Sequence, residues 1–426
     1  MCEQRNFESV IDGWVSAELG RPRDWASLLY SLPSVYPAAA LESAKRCSLS
    51  HMIRFQDPKA TDYKSSWFAM QLWSEGKLET PHPQDASWWF ANSALDTMGD
   101  RLERLTSVGD HVLFLGAPTL FHFTRERLVG RHLTLLDKER CGATSTGGGP
   151  HQRVVVDLLR EQPHLAKAAV VVADPPWYGS EMRAFLLTAR RNAKRGTKIL
   201  LSVPPVGTRP GVQREWNELI TWAKSIGLEL VNYEMARLPY VSPLFEWNAL
   251  GAAGIQSFPI DWRRGDFATL SCVEADDRVG SFAFAAVDSE WKEVRIGRVR
   301  VRIRAGPCDG WDDPGLREGV RGGVLPSVSR RDKRLECIAV WTSGNRVFRC
   351  VGASVLYRIA EALSMGQSAA LSVESYLGLR LAEEQIAHVG RAAEALREIM
   401  VAEEREIEDW ENRLNENMAE LPACKG

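Results

Sequence analysis

Residues 169–177 read Ala169-Val170-Val171-Val172-Ala173-Asp174-Pro175-Pro176-Trp177, an unbroken apolar run closed by an acid, two prolines and an aromatic ring. Five consecutive apolar residues with no polar alternation predict a strand buried on both faces, as in a parallel sheet. Upstream, His111-Val112-Leu113-Phe114-Leu115-Gly116, Leu133-Thr134-Leu135-Leu136-Asp137 and Arg153-Val154-Val155-Val156-Asp157 share this texture. Downstream it returns in Lys198-Ile199-Leu200-Leu201-Ser202-Val203, Leu228-Glu229-Leu230-Val231-Asn232 and Phe267-Ala268-Thr269-Leu270. Helical spacing fills residues 181–194 and 213–226. Strand and helix alternating in this way predict an α/β fold with a Rossmann-like doubly wound sheet over residues 85–275.

The flanks have other textures. Residues 1–84 predict an N-terminal helical region, with Trp14, Ala17 and Leu19, then Trp25, Leu28, Leu29 and Leu32, at roughly helical spacing broken by Pro22 and Pro33. A second run holds Trp67, Phe68, Met70, Leu72 and Trp73, and Pro81-His82-Pro83 reads as a hinge. Residues 280–352 predict a small β-rich domain. Val294, Ile296, Val299, Val301 and Ile303 alternate there with Arg295, Arg298, Arg300, Arg302 and Arg304, a half-buried antiparallel pattern with a basic outer face. A hairpin turns at Ser343-Gly344-Asn345. Residues 353–420 read as C-terminal helices, including a long charged one whose apolar face packs on this protein or on a protein partner.

A chain of 426 residues is too long for one ordinary core. Its net charge of −2 provides no global field toward nucleic acid or an anionic membrane. A nucleic-acid partner would need a local patch, for which the 295–304 arginine stripe is the candidate. Cysteines stand at 2, 47, 141, 272, 308, 337, 350 and 424 without C-x-x-C spacing, so no metal site is expected and a reducing compartment is. No stretch approaches the roughly 20 apolar residues of a membrane span and no apolar leader is visible, giving a cytoplasmic expectation with no membrane partner.

Ligands of open α/β sheets bind beyond the carboxyl ends of the strands. Here Asp137, Asp157 and Asp174 close the second, third and fourth predicted strands. An acid at the second strand end suits a ribose diol, and one at the third can accept from an adenine amino group. The alternative is that each caps the loop that follows. Pro175 and Pro176 fix φ at two successive positions and remove two donors, so the loop is stiff. Their carbonyls and the Asp174 carboxylate can grip an exocyclic amine while Trp177 or Tyr178 stacks on a planar ring; a rigid strand-to-helix turn is the plainer reading. Gly147-Gly148-Gly149 lacks the Lys-Ser/Thr of a phosphate loop and reads as a connection. Arg190, Arg191, Lys194 and Arg195 read as a solvated helix end. Ser202-Val203-Pro204-Pro205 and the stretch 240–246 read as loops shaping the pocket rim.

The order of a nucleotide-binding strand first and Asp174-Pro175-Pro176-Trp177 at the fourth strand resembles the class I S-adenosylmethionine-dependent methyltransferases. The tetrad is similar to the Asp/Asn-Pro-Pro-aromatic motif of amino-methyltransferases acting on adenine N6 in DNA or RNA. The resemblance covers residues 85–275 and implies S-adenosylmethionine as cofactor. It would place Gly116 and Ala117 beside the methionine moiety, Asp137 on the ribose and Asp157 near the adenine. Asp174 would orient the amine, Pro175 and Pro176 shape the pocket, Trp177 stack on the base and Tyr178 add a substrate contact. The layout also resembles the branched-chain polyamine synthases, which transfer an aminopropyl group from decarboxylated S-adenosylmethionine; their glycine loop carries acids where this chain has Ala117, Pro118 and Thr119. Methyltransferase first loops carry two or three glycines, and here Gly116 stands alone. Three readings follow: amino-methyl transfer to adenine N6, aminopropyl transfer, and a non-catalytic scaffold whose Ala117-Pro118 loop blocks the pocket.

Overall fold

The apolar runs become strands of one eight-stranded sheet in the computed structural model, which describes residues 2–55, 65–139, 151–274, 291–306 and 310–416. Gly147-Gly148-Gly149, Cys141, Cys308 and Cys424 lie outside the described residues. The strands are β1 (His111–Leu115), β2 (His132–Asp137), β3 (His151–Val155), β4 (Ala168–Ala173), β5 (Ala193–Val203), β6 (Leu228–Val241) and β7 (Arg264–Cys272), with Trp89–Phe90 as a two-residue edge strand. From that edge the order is β6-β7-β5-β4-β1-β2-β3. β1 runs parallel to β2 and β4, β2 to β3, and β4 to β5, whereas β7 is antiparallel to both β5 and β6. The order reverses at β1, so a crevice opens at the carboxyl ends of β1 and β4.

Both faces are covered over β1, β2, β4, β5 and β7, which explains their continuous apolar runs; edge strand β3 and much of β6 are not doubly buried as their sequence texture predicts, with Val155 and Val231 exposed. Val112, Phe114, Val170 and Val172 face α5 (Asn92–Leu105) and α6 (Pro118–Thr124). Their chain neighbours Leu113, Leu115, Val171 and Ala173 face α7 (Gly179–Arg191) and α8 (Val212–Ser225). Burial of such side chains contributes about 1.5–3 kcal/mol each. Arg190 is buried against Ile226, to whose carbonyl its Nε donates at 2.8 Å, and not solvated as its sequence context implies.

The N-terminal helices α1 (Cys2–Glu18), α2 (Trp25–Ser31) and α3 (Pro37–Arg46) share a core with residues 250–262, Trp25 and Trp262 at its centre. Trp67 begins α4 (Trp67–Ser74), which packs elsewhere: Trp73 meets Trp410 with ring centroids 5.5 Å apart. Pro81-His82-Pro83, read from the sequence as a hinge, follows α4 and is buried. His82 is fully buried, its Nδ1 accepting from Gln84 N–H at 3.1 Å and its other ring nitrogen facing the Trp341 carbonyl at 3.1 Å.

The small sheet holds β8 (Trp291–Ile296), β9 (Val299–Arg304), β10 (Val340–Thr342) and β11 (Val347–Arg349). Its arginines do not form an outer face. Arg300 and Arg302 donate to Asp85 (2.6 and 2.7 Å) and to Glu293, Arg295 to Glu79 (2.5 Å), and Arg298 to Glu404 and Glu411. Alternation located the side of the sheet correctly, but that side faces carboxylates of residues 79–85 and of the C-terminal helix. Helices α9 (Leu244–Ala252), α10 (Ala353–Ser364) and α11 (Ala369–Leu377) precede the long α12 (Glu383–Glu416). Val389, Ala393, Leu396, Met400, Ile407 and Trp410 of α12 are buried within this chain. Glu403 anchors α12 to the predicted hairpin turn, accepting from Thr342 Oγ1, Ser343 Oγ and Gly344 N–H at 2.5–2.6 Å.

Candidate active site

A cavity of about 580 Å³ lies at the carboxyl ends of the parallel strands. It is lined by Gly116, Asp137, Asp157, Asp174, Pro175, Pro176, Trp177 and Tyr178, so eight of the nine site residues read from the sequence meet in one place. Ala117 does not. It is 1% exposed and packs beneath the sheet with Leu120 and Phe121. Pro118 fills the first turn of α6, where its missing N–H has no intrahelical partner to lose. The loop therefore starts a helix and leaves the cavity open beside Gly116 and Pro118. Gly116 is required for a local reason: φ is +62°, and a Cβ there would sit 2.8 Å from the Phe185 ring.

The strand-end aspartates cap loops and line the cavity at once. Asp137 Oδ1 accepts from Glu139 N–H at 2.8 Å, and Asp157 Oδ1 from Leu159 N–H at 3.0 Å. Asp137 keeps a second carboxylate oxygen, whereas Asp157 Oδ2 lies 3.5 Å from Arg160 Nε, a half-exposed pair that a ligand could displace, so the capping and ligand readings are compatible. Pro176 is less free than expected, because its carbonyl accepts from Tyr178 N–H at 2.7 Å.

Asp174 has the most specific surroundings. Its Oδ1 accepts from Ser202 Oγ and from Tyr240 OH at 2.7 Å, and among the described residues Oδ2 carries no hydrogen bond. Ser202 ends β5 and Tyr240 ends β6, so the two stretches read as rim loops are strand ends that reach the tetrad across the sheet. Trp177 packs edge-on against Tyr240, with ring centroids 5.7 Å apart at 82°. Burial pushes the Asp174 carboxyl up to about 7, helped by the charge of Asp137 and opposed by the two hydroxyl donors.

The sequence reading missed Glu139 and Asp85, both in the cavity wall. Glu139 is 7% exposed and its carboxylate accepts from Ser87 Oγ at 3.0 Å; among the described residues the guanidinium nearest that carboxylate is Arg300, at 4.0 Å, while Arg153 donates to the Glu139 backbone carbonyl at 2.8 Å. Burial and the neighbouring Asp137 charge raise it, and burial raises Asp137. Asp85 behaves oppositely. Burial would raise it, but Lys138, Arg302 and Arg300 hold it well below the usual carboxylate range. Glu293 is likewise held at about 2 by Arg300 and Arg302 against its burial. Asp85 lies 53 residues from Lys138 and 215 and 217 residues from Arg300 and Arg302, so no sequence spacing signals the cluster.

No protein-family model matches the chain, and no curated protein matches it. Among solved structures it is similar to the branched-chain polyamine synthase from Thermus thermophilus in complex with N4-aminopropylspermidine and 5′-methylthioadenosine, at 11% identity over 65% of this chain and 91% of that one, with a TM-score of 0.47. The C9 mutein of that synthase gives 10% identity over 66% and 96%, with a TM-score of 0.49. A 16S rRNA (adenine(1408)-N(1))-methyltransferase mutant from Catenulisporales acidiphilia gives 11% identity over 42% and 92%, with a TM-score of 0.27. Likeness at this level carries nothing about chemistry.

Proposed function

We propose that the chain is an S-adenosylmethionine-dependent methyltransferase whose acceptor is an amine, the N6 amino group of an adenine base in nucleic acid. One observation carries the reading: Ser202 and Tyr240 both bind Asp174 Oδ1, which leaves Oδ2 as the acceptor for a ligand N–H beside Trp177. The cavity fits the cofactor. Asp137 would accept the ribose hydroxyls, Asp157 the adenine amino group, and Leu136, Val156 and Leu158 flank them with apolar surface. When bound, S-adenosylmethionine supplies an electrophilic methyl group on a sulfonium.

The chain's own residues orient and polarise the acceptor. A hydrogen bond from the amine to Asp174 Oδ2 fixes its direction and draws its lone pair out of conjugation with the ring. With its pKa near 7, Asp174 also takes the proton the amine releases. The indole of Trp177 limits the acceptor to a flat group on that side.

Aminopropyl transfer to a small polyamine is a second reading, favoured by Glu139, a buried acid in the wall whose carboxylate has no cationic group closer than 4.0 Å among the described residues. Methyl transfer from labelled S-adenosylmethionine to adenine-containing oligonucleotides tests the first reading, with decarboxylated S-adenosylmethionine and spermidine as the competing pair. Label in the oligonucleotide, abolished by Asp174→Ala, supports it. Label only in the polyamine moves the assignment to aminopropyl transfer, and Asp174→Ala with unchanged activity removes the role given to Asp174.

A further inference from the structure

Three guanidinium groups converge on the ring of Tyr178, the residue after the tetrad. Arg330, Arg331 and Arg209 lie 4.1, 5.2 and 5.7 Å from its centroid. Arg209 comes from the loop between β5 and α8, and the other two from the segment between β9 and β10, so distant parts of the chain supply one charge cluster. Among the described residues two carboxylates answer it. Glu215 takes Arg209 and, at 2.8 Å, Arg331, while Glu181 takes Arg330. One positive charge remains in excess.

The cluster also leaves donors unused. Arg209 Nε and Thr208 Oγ1 are buried without a hydrogen-bond partner among the described residues, and Thr208, Arg209 and Arg330 all line the cavity. Buried polar groups are seldom left so, and each exception calls for a cause. The hydrogen bonds of Arg209 run through Nη2 alone, so its guanidinium can turn toward an incoming group while its stem stays packed. Arg331 is not part of the cavity lining; it stands on the Tyr178 ring with half of its side chain exposed. Burial first, and the adjacent Arg331 charge after it, hold Arg209 below its usual value against the opposing pull of Glu215.

Across the cavity stand Asp137, Glu139 and Asp174, the carboxyls least supplied with cations. The cavity is thus polarised, acid at the strand ends and guanidinium on the wall of Tyr178. We propose that Thr208, Arg209, Arg330 and Arg331 form an anion subsite that takes a phosphate group of the acceptor while Asp174 holds its amine. Guanidinium groups arriving from several sides suit a tetrahedral dianion, whose oxygens accept from each in turn. This rests on the acceptor reading above. The phosphate can belong to a free nucleotide or to a nucleic-acid backbone, and in either case the recognition differs from the 295–304 stripe, of which Arg295, Arg298, Arg300 and Arg302 are ion-paired inside the chain.

The test is calorimetric titration of the full chain at low ionic strength with inorganic phosphate, adenosine, AMP and a short single-stranded oligoadenylate. The wild type is compared with Arg331→Gln and Arg209→Gln, whose folding is checked by circular dichroism. AMP is expected to bind at least tenfold tighter than adenosine, with the advantage lost in both variants and inorganic phosphate binding lost alongside. Oligoadenylate binding tighter than AMP assigns the phosphate to a backbone; AMP tighter assigns it to a free nucleotide. Phosphate binding that needs both arginines, with no binding of any adenine compound, leaves the subsite standing and removes the adenine acceptor. Equal phosphate binding in wild type and variants overturns the subsite. It is also overturned if the variants weaken S-adenosylmethionine but not its decarboxylated form, because the cluster then holds the cofactor carboxylate.

Discussion

Asp85 and Asp174 line the same cavity, and folding drives their carboxyl groups in opposite directions. Asp85 is met by Lys138, Arg300 and Arg302, so it stays ionised although it is 3% exposed. Asp174 is met by two hydroxyl groups and no cation, and is raised to about 7. The difference separates a carboxylate that fastens the structure from one that is held ready for a ligand. Asp85 ties residues 79–85 to the small sheet and so fixes the cavity wall. Asp174 retains an unsatisfied oxygen and a pKa near neutrality, features that stabilise nothing in the free protein and serve proton exchange with an amine.

The comparison can be broken most forcefully at Asp85. Asp85→Ala leaves three cations facing an empty site and is expected to lower stability by about 3–5 kcal/mol, read from urea unfolding at pH 7. Because the folded group titrates below its usual value of 3.8, its contribution is present above that pH and fades as pH falls beneath it. A loss under about 1 kcal/mol at pH 7 would show that the ion cluster does not hold the wall.

Asp174→Asn should do the reverse. Transfer falls by about 10²–10⁴-fold, the range for a positioned acid–base group, while stability at pH 8 equals or exceeds that of the wild type. Folding raises this carboxyl from 3.8 to about 7, so the native state binds the extra proton between those values. Wild-type stability therefore declines as pH rises from about 4 to 7, and the asparagine variant, lacking this group, should lose that part of the slope. A destabilised variant at pH 8 would place Asp174 with Asp85 as a structural group.

Tyr240→Phe sharpens the contrast within the site. Removing one donor to ionised Asp174 raises its pKa further, so the acid limb of the pH–rate profile moves upward, with a loss of about tenfold near neutral pH, the worth of one hydrogen bond to a charged group. An unmoved limb would detach Tyr240 from Asp174. The smallest effect belongs to the rim: Arg331→Gln should change stability by no more than about 0.5 kcal/mol, because its ion pair with Glu215 is half exposed. A larger change would mean that the arginine cluster fastens the fold.

The strands and their terminal acids were legible because a parallel sheet covered on both faces leaves continuous apolar runs, and strand ends are local features of sequence. Asp137, Asp157, Asp174 and the Pro175-Pro176-Trp177 loop were therefore found together. Ser202 and Tyr240 were marked only as parts of a rim, since their bonds to Asp174 bridge 28 and 66 residues. The arginine alternation revealed a strand but not what faces it: Glu79, Asp85 and Glu404 lie more than 100 residues away from their partners. Buried His82 was hidden by the two prolines beside it, whose stiffness looks alike in a hinge and in a buried strap. Ala117 was drawn into the site by its neighbour Gly116, although its side chain turns beneath the sheet.

The most direct test is calorimetric titration of S-adenosylmethionine and S-adenosylhomocysteine into the wild type, Asp137→Ala and Asp174→Ala. Both ligands should bind the wild type, lose affinity in Asp137→Ala and keep it in Asp174→Ala, as expected if one carboxylate holds the cofactor ribose and the other the acceptor amine. No binding to the wild type, or equal binding to wild type and Asp137→Ala, would contradict the assignment of this cavity as an S-adenosylmethionine site.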